Sequence, residues 1–217
     1  MSNGQRKSKI NRRLIGLSGG ISTGKSTASK YLRAKYKLPI LDADIYARNA
    51  VEIGSVTLNA IASRYGANIL LADGSLNRQE LGSIIFADIY ERQWLEKQIH
   101  PLVRDAFVQE IDKSSAELII LVIPLLFEAA MTDLVTEIWV VYCNPNQQLA
   151  RLMQRESLTV AAAKARISSQ MPLKEKCDRA SLILDNSSSQ ESLYNQIDAA
   201  MLNPPLLRQL LHPESAN

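Results

Sequence analysis

The chain has 217 residues, of which 46% are hydrophobic and 22% charged, with a net charge of +3 and two cysteines. This composition is typical of a soluble globular protein with one large α/β domain and insertions, and so few cysteines exclude a disulfide-rich scaffold or a cysteine-rich zinc site. The most apolar run, residues 118–127, contains a proline and is too short to cross a membrane, so we expect a cytoplasmic protein with no membrane partner.

The first thirteen residues are basic, with Arg6, Lys7, Lys9, Arg12 and Arg13 among them. No apolar stretch of the kind found in a secretory signal follows. We expect residues 1–13 to form a flexible extension, with a short organelle transit segment as the alternative. The mild positive charge is weak evidence for nucleic-acid binding, because a site for two polyanionic ligands explains it equally well. We therefore expect no nucleic-acid partner.

A phosphate-binding loop follows the first apolar run. Residues 19–26 fit the pattern G-x-x-x-x-G-K-S, between a strand-like stretch at 14–18 and a helix-like stretch at 27–37. Glycines let backbone N–H groups surround a phosphate, Lys25 can reach the outer phosphates, and the Ser26 hydroxyl can bind Mg²⁺. We predict a nucleotide site formed by Gly19, Gly20, Ser22, Thr23, Gly24, Lys25, Ser26 and Thr27.

Short apolar runs alternate with helix-like segments along the chain, which predicts an α/β fold with a parallel sheet covered by helices. Five runs are candidate strands, at residues 14–18, 39–42, 117–123, 137–142 and 182–184. Because ligands bind at the carboxyl ends of the strands in such sheets, the residues that follow the strands are the first candidates for a site.

Two carboxylates, Asp42 and Asp44, follow the second predicted strand. One could accept a proton from an attacking hydroxyl, and one could help to hold Mg²⁺ through water. Capping of a helix over residues 45–51 by Asp44 is an equally weighted alternative. The third strand ends without an acid, since residues 121–123 are all apolar. The metal role therefore shifts toward Asp42, Asp44, Glu128 and water.

The segment between the second and third strands is too long for a simple crossover, and its helical pattern predicts a substrate-binding insert. Asn77, followed by Glu80, predicts a capped helix start. His100 and Pro101 predict a helix break, because the residue before a proline avoids the α region, and a new helix is expected to begin at Pro101.

The segment between the fourth and fifth strands is rich in Arg, Lys, Gln and Ala, which is typical of a loosely docked lid. We predict helices at residues 147–156 and 160–170, the second capped by Thr159. Arg151 and Arg155 lie one helical turn apart. A bound multivalent anion would favour this spacing, and a solvated basic face would equally produce it.

Several segments occur together, and in this order, in one known family. The chain resembles the dephospho-coenzyme A kinases from about residue 14 to residue 200, through residues 19–27, 41–48, 73–78, 100–103, 123–128 and 166–172. The phosphate loop is shared by a vast superfamily. The Asp-Ala-Asp, His-Pro and Pro-Leu-Leu-Phe-Glu segments together are far more specific.

The resemblance implies a nucleoside-monophosphate-kinase-like fold of the P-loop NTPase type. Its three-layer α/β/α core would comprise residues 14–43, 116–146 and 180–203, with a helical acceptor-binding insert at 44–115 and a helical lid at 147–179. The implied activity is ATP-dependent phosphorylation of the ribose 3′-hydroxyl of dephospho-coenzyme A with Mg²⁺, the final step of coenzyme A synthesis.

The resemblance also implies roles for individual residues. Asp44 would be the catalytic base and, with Ser26, a metal ligand. Lys25, Arg151 and Arg155 would act on the transferring phosphoryl group, and Asn186 would lie near the adenine. The acceptor side would be lined by Asp44, Arg48, Asn77, Arg78, His100, Arg104, Leu125, Phe127 and Glu128. Three positions depart from the usual pattern of the family, at Ser22-Thr23, Gly82 and Ser181.

Two alternatives remain open. One is another small-molecule kinase that phosphorylates a sugar, a shikimate-like acid or a nucleotide. The other is a nucleotide switch, although residues 144–147 do not supply the Asn-Lys-x-Asp motif that a guanine-specific switch requires. We expect a small-molecule substrate as partner, and a monomer or weak homo-oligomer.

Overall fold

The computed structural model describes residues 12–202. The chain forms a five-stranded parallel sheet in the order β2-β3-β1-β4-β5. The strands are β1 (Arg13–Gly19), β2 (Ile40–Asp42), β3 (Leu118–Val122), β4 (Glu137–Tyr142) and β5 (Leu182–Asp185). In this parallel register, Ile15 lies opposite Ile120 on one side of β1 and opposite Glu137 on the other. The predicted α/β fold with five strands is confirmed.

Helices alternate with the strands. They are α1 (Lys25–Tyr36), α2 (Ala43–Asn49), α3 (Val56–Tyr65), α4 (Arg78–Ala87), α5 (Ile89–Lys113), α6 (Pro145–Glu156), α7 (Val160–Ser168), α8 (Leu173–Asp178) and α9 (Gln190–Leu202). The Thr159 hydroxyl caps α7 as predicted, accepting from the Ala162 N–H at 3.3 Å. Residues 42–114 form one compact unit, and the sheet with the remaining helices forms another.

The core of the sheet unit contains apolar side chains from every one of its central strands. Ile15, Ile120 and Trp139 are buried there, together with Leu32 of α1 and Ile197 of α9. Burying each such side chain contributes about 1.5–3 kcal/mol. The strands are apolar almost throughout because both faces of a parallel sheet are covered.

A polar cluster joins α1, which follows the phosphate loop, to α9. The Asp198 carboxylate accepts hydrogen bonds from the hydroxyls of Tyr31 and Tyr36 and from Lys35 Nζ, at 2.6–3.0 Å. These bonds lower the pKa of Asp198, while burial and the bond to Asp198 raise the pKa of Tyr36 to about 12. The Tyr31 ring stacks on Tyr194 with centroids 3.8 Å apart. The cluster therefore holds α1 against α9.

The unit formed by residues 42–114 has a core of its own, built from Val51, Leu58, Ile61, Ile69, Leu76, Leu81 and Leu95. The Glu91 carboxylate stabilises it at the edge of this core. It accepts from Arg64 Nε at 2.6 Å and from the Tyr65 hydroxyl at 2.6 Å. These bonds lower the pKa of Glu91 to about 2.

The prediction of a helix break at His100-Pro101 is wrong, because α5 continues through Pro101. Proline has no N–H for the carbonyl four residues earlier, and an interior proline costs about 3 kcal/mol or more. Leu95, Val103 and Phe107 are buried on either side of it. The burial of these side chains offsets the cost, so the helix persists.

At the amino-terminal end, residues 1–11 of the predicted basic extension lie outside the described residues. Arg13 does not belong to an extension, since it is the first residue of β1 and its Nε lies 2.6 Å from the Glu137 Oε1. Between residues 12 and 202, no helix combines the length and the apolar character needed to span a bilayer.

Candidate active site

The phosphate loop connects β1 to α1, and its backbone takes a shape that glycines permit. Gly19 and Gly24 have φ angles of +147° and +110°. A Cβ atom on Gly24 would lie 2.1 Å from Asn186 Nδ2, and one on Gly19 would lie 2.5 Å from the Val141 carbonyl oxygen. Ser22 also has a positive φ, of 59°. The serine therefore adopts the curved backbone at a strain of about 1 kcal/mol.

The N-terminus of α1 has the features of an anion-binding site. Its N-cap is Gly24, and no side chain between residues 12 and 202 caps it. The first N–H groups and the positive end of the helix dipole are therefore directed to the loop. Lys25 Nζ donates to the carbonyl oxygens of Gly19 at 3.1 Å and Gly20 at 2.6 Å. The ammonium group lies over the loop, where phosphate oxygens can replace these carbonyl oxygens.

Three amide side chains hold the loop from outside. Asn186 Nδ2 donates to the Thr23 carbonyl oxygen at 2.8 Å. Gln148 Nε2 donates to the Ile21 carbonyl oxygen at 2.8 Å, and the Ile21 N–H donates to Gln170 Oε1 at 3.0 Å. Neither glutamine was predicted to contact the phosphate loop, because no sequence signal separates such a glutamine from one on a solvated helix.

Three buried polar atoms, one in the loop and two on α6, have no hydrogen-bond partner within the described part of the chain: Ser22 Oγ, Gln147 Oε1 and Arg151 Nη1. A buried polar atom left unpaired costs about 1–3 kcal/mol, so a polar ligand that pairs with these atoms is favoured. Arg151 Nη2 donates to the Asn186 carbonyl oxygen at 3.0 Å. This guanidinium therefore lies where β5 ends, beside the residue that holds Thr23.

Arg155 has a different environment from Arg151. It forms an ion pair with Glu156, whose other carboxylate oxygen pairs with Arg166 of α7. The side chains of Arg155 and Arg166 are about half exposed, at 54% and 43%. Arg151 and Arg155, for which a shared anion and a solvated basic face were both open, have separate partners within the protein, and Glu156 joins Arg155 to Arg166.

The two carboxylates at the end of β2 have different roles. Asp42 is the N-cap of α2, and its Oδ1 accepts from the Asp44 N–H at 2.9 Å. The alternative in which Asp44 caps the helix is wrong, because α2 begins at Ala43 and already includes Asp44. Asp44 is exposed in the first turn of the helix.

The unit formed by residues 42–114 contains a cleft of about 320 Å³ next to Asp44. Its lining combines Asp44, Arg48 and Arg78 with apolar side chains, among them Leu81. Gly82 also lines the cleft, and no described atom lies within 4 Å of the point where its Cβ would stand. The structure therefore brings three of the predicted acceptor residues together in a site that is both charged and apolar.

Three other predicted acceptor residues do not line this cleft. Asn77 is the N-cap of α4, and its Oδ1 accepts from the Glu80 N–H at 3.1 Å. The predicted cap is confirmed, and it occupies the side chain that was also proposed for the acceptor. His100 and Arg104 lie half-buried, one turn apart on α5.

The segment that follows β3, residues 124–128, is held by internal contacts. Phe127 is 7% exposed, and the Arg179 guanidinium lies 4.5 Å from the centre of its ring. Leu125 is half-buried. Glu128 Oε1 accepts from Lys176 Nζ at 2.8 Å and from the Met171 N–H at 3.0 Å. Glu128, which the resemblance places on the acceptor side, thus has partners within the protein for one carboxylate oxygen.

No group of three or more His, Cys, Asp and Glu side chains suited to a metal ion occurs between residues 12 and 202. A nucleotide-bound Mg²⁺ uses one or two protein oxygens together with phosphates and waters. The Ser26 hydroxyl is exposed in the first turn of α1 and fits this requirement as a hard oxygen donor. Asp44 is an exposed carboxylate of the other unit.

The family model of dephospho-CoA kinase (CoaE) matches residues 13–192. The dephospho-CoA kinase of Trichormus variabilis is 58% identical over 192 residues, which are 88% of this chain and 98% of that protein. The crystal structure of TT1252 from Thermus thermophilus has a TM-score of 0.74 at 31% identity, covering 88% of this chain and 97% of that one. Dephospho-CoA kinase from Campylobacter jejuni has a TM-score of 0.64 at 27% identity, with coverages of 87% and 95%.

A parallel sheet whose first strand leads through a G-x-x-x-x-G-K-S loop into a helix defines the P-loop NTPase class of proteins. The family match extends over most of the chain. The chain belongs to the dephospho-CoA kinase family, and the resemblance seen in its motifs is confirmed.

Proposed function

We propose that this protein transfers the γ-phosphoryl group of ATP to the ribose 3′-hydroxyl of dephospho-coenzyme A. The observation that carries the proposal is the complete phosphate loop at the N-terminus of α1, in a chain that belongs to this family. The alternative kinases that act on sugars or shikimate-like acids share the loop, so the acceptor is the part that an experiment must test.

The donor side of the proposed site is the loop itself. Its N–H groups and Lys25 hold the phosphates, and the ammonium group exchanges the carbonyl oxygens of Gly19 and Gly20 for phosphate oxygens. Ser26 would hold Mg²⁺, which when bound neutralises charge on the phosphates. Asn186 supports the loop from behind, through Thr23, and does so whether or not it also contacts the adenine.

Asp44 is proposed to orient and deprotonate the acceptor hydroxyl. Asp42 caps α2 through its carboxylate, whereas Asp44 lies exposed in the first turn of α2 and lines the cleft. Asp44 shares its cleft with Arg48 and Arg78, two cations suited to the phosphates of the acceptor. The apolar part of the same cleft suits the uncharged portion of a long acceptor.

The arginines of the lid segment are proposed to act at different points. Arg151 has an unpaired buried nitrogen at the end of β5, which supports a contact with the bound nucleotide. Arg155 must exchange Glu156 for a phosphate before it can stabilise the transferring group. If residues 147–179 act as a lid over the bound nucleotide, they would also exclude water from the site and limit hydrolysis of ATP.

We further propose that the protein is cytoplasmic and works as a monomer or weak homo-oligomer.

The test is a coupled assay of ADP release with and without dephospho-coenzyme A. We expect turnover to depend on this acceptor, and a product whose new phosphate is on the ribose 3′-oxygen by NMR. A panel containing shikimate, gluconate and nucleoside monophosphates provides the comparison. Faster turnover with any of these than with dephospho-coenzyme A, or ADP release that is independent of the acceptor, would refute the proposal.

A further inference from the structure

Lys176 on α8 is unusual because its charged side chain is completely buried, with 0% exposed. Its Nζ donates to Glu128 Oε1 at 2.8 Å and to the Pro124 carbonyl oxygen at 2.9 Å. Replacing a buried ion pair by apolar side chains of similar volume is often neutral or stabilising. Stability alone therefore does not explain a lysine at this position, whereas a requirement for a defined geometry does.

The Pro124 carbonyl oxygen also contacts the strand that leads into the phosphate loop. It accepts from the Ser18 hydroxyl at 3.3 Å, and Ser18 directly precedes Gly19, the first residue of the loop. The start of the 124–128 segment is thus held by β1 on one side and by Lys176 on the other. One carbonyl group joins the two.

The end of the 124–128 segment is connected to the loop by a second route. Glu128 Oε1 accepts from the Met171 N–H at 3.0 Å. The preceding residue, Gln170, accepts from the Ile21 N–H of the loop, also at 3.0 Å. Of these two consecutive residues, Gln170 therefore contacts the loop and Met171 contacts the 124–128 segment. We call residues 170–176, which run from the loop contact to Lys176, the tether.

We propose that Lys176 and Glu128 form a positioning pair through which the tether holds residues 124–128 in register with the phosphate loop. The inference rests on the proposed function, with residues 124–128 on the acceptor side as the resemblance to the dephospho-coenzyme A kinases implies. The pair acts through the backbone that it holds and not on the reacting atoms. A misplacement of about 1 Å in such a segment can cost about 10²-fold in rate.

The experiment compares Lys176→Met with Lys174→Met in the full chain. Lys174 is on the same helix, but its side chain is 84% exposed and pairs with Asp178. For Lys176→Met, we expect kcat to fall about 10–100-fold and the KM for dephospho-coenzyme A to rise. The KM for ATP should stay within about 2-fold of the wild-type value. Lys174→Met should match the wild type in all three constants.

The double variant Lys176→Met/Glu128→Gln separates positioning from stability. It removes both charges and keeps an amide oxygen for the Met171 N–H. Lys176→Met alone should lower the melting temperature, because it leaves the Glu128 carboxylate without its partner. In the double variant, we expect the melting temperature to return toward the wild-type value while kcat remains low. Recovery of kcat together with the melting temperature, or an equal rise of both KM values, would overturn the inference. A wild type without acceptor-dependent turnover would instead refute the proposed function, and the inference with it.

Discussion

Substitution of Gly24 by alanine tests the geometry of the phosphate loop most directly. A Cβ atom there would lie 2.1 Å from Asn186 Nδ2, and the backbone φ of +110° disfavours any side chain. Strain at such a position costs about 1–3 kcal/mol. Displacing Asn186 also breaks its buried hydrogen bond to the Thr23 carbonyl oxygen, at about 1–3 kcal/mol. We expect Gly24→Ala to lower the free energy of unfolding by about 2–6 kcal/mol.

Two other glycines supply matched controls for this measurement. Gly54 has a φ of +85° and no described atom within 4 Å of its Cβ position, so Gly54→Ala should cost only the strain, about 1–2 kcal/mol. Gly82 lies in α4 and is open as well, without a positive φ. Gly82→Ala should stabilise the helix by about 0.5–1 kcal/mol.

Urea denaturation followed by circular dichroism gives the three free energies. For a chain of this size, about 1 kcal/mol corresponds to a shift of roughly 2–4 °C in melting temperature, so thermal unfolding gives an independent check. ATP binding by Gly24→Ala should also be lost, since the loop must move to admit the methyl group. Equal destabilisation by Gly24→Ala and Gly54→Ala would show that the contact with Asn186 does not constrain the loop.

Three further outcomes are expected. Asp44→Asn should lower kcat by about 10²–10⁴-fold with little change in the KM for ATP, because a general base is removed and the donor loop is intact; an unchanged kcat in the ADP-release assay would exclude Asp44 as the base. Lys25→Ala should weaken ATP binding by calorimetry and reduce turnover, and normal binding and turnover would contradict the role of the loop. Glu91, whose pKa is about 2 in the folded protein against an ordinary 4.5, contributes stability that is fully present above about pH 4.5 and is lost as the pH falls toward 2. Glu91→Gln should therefore lower the melting temperature at pH 6 more than at pH 3, and an equal difference at both pH values would contradict the bond to Arg64.

The sequence predicted the elements whose signals are local. The strands follow from apolar runs, the cap of α4 from Asn77 and Glu80, and the cap of α7 from Thr159. Each of these depends on residues within a few positions of one another. The phosphate loop belongs to the same class, since a strand, a glycine-rich turn and a helix in direct succession suffice to build it.

Other features depended on partners that are distant in the chain. The Gln148 and Gln170 amides reach Ile21 across 127 and 149 residues, and a glutamine on a polar helix gives no indication of such a contact. Lys176 resembles an exposed lysine in its sequence context, yet it is fully buried against Glu128. Arg155 was grouped with Arg151 by spacing, yet it pairs with its neighbour Glu156, and the packing of α7 brings Arg166 to the same carboxylate.

By itself, the sequence predicted a site for a nucleotide phosphate between β1 and α1 and the parallel strands that support this site, because short-range patterning encodes both. Only the tertiary structure decided that α5 passes through Pro101 and that Glu128 pairs with Lys176. The physical reason is the same in each case. The free energy of burying side chains and pairing buried polar groups arises between elements, so it can override a local preference that the chain alone would express.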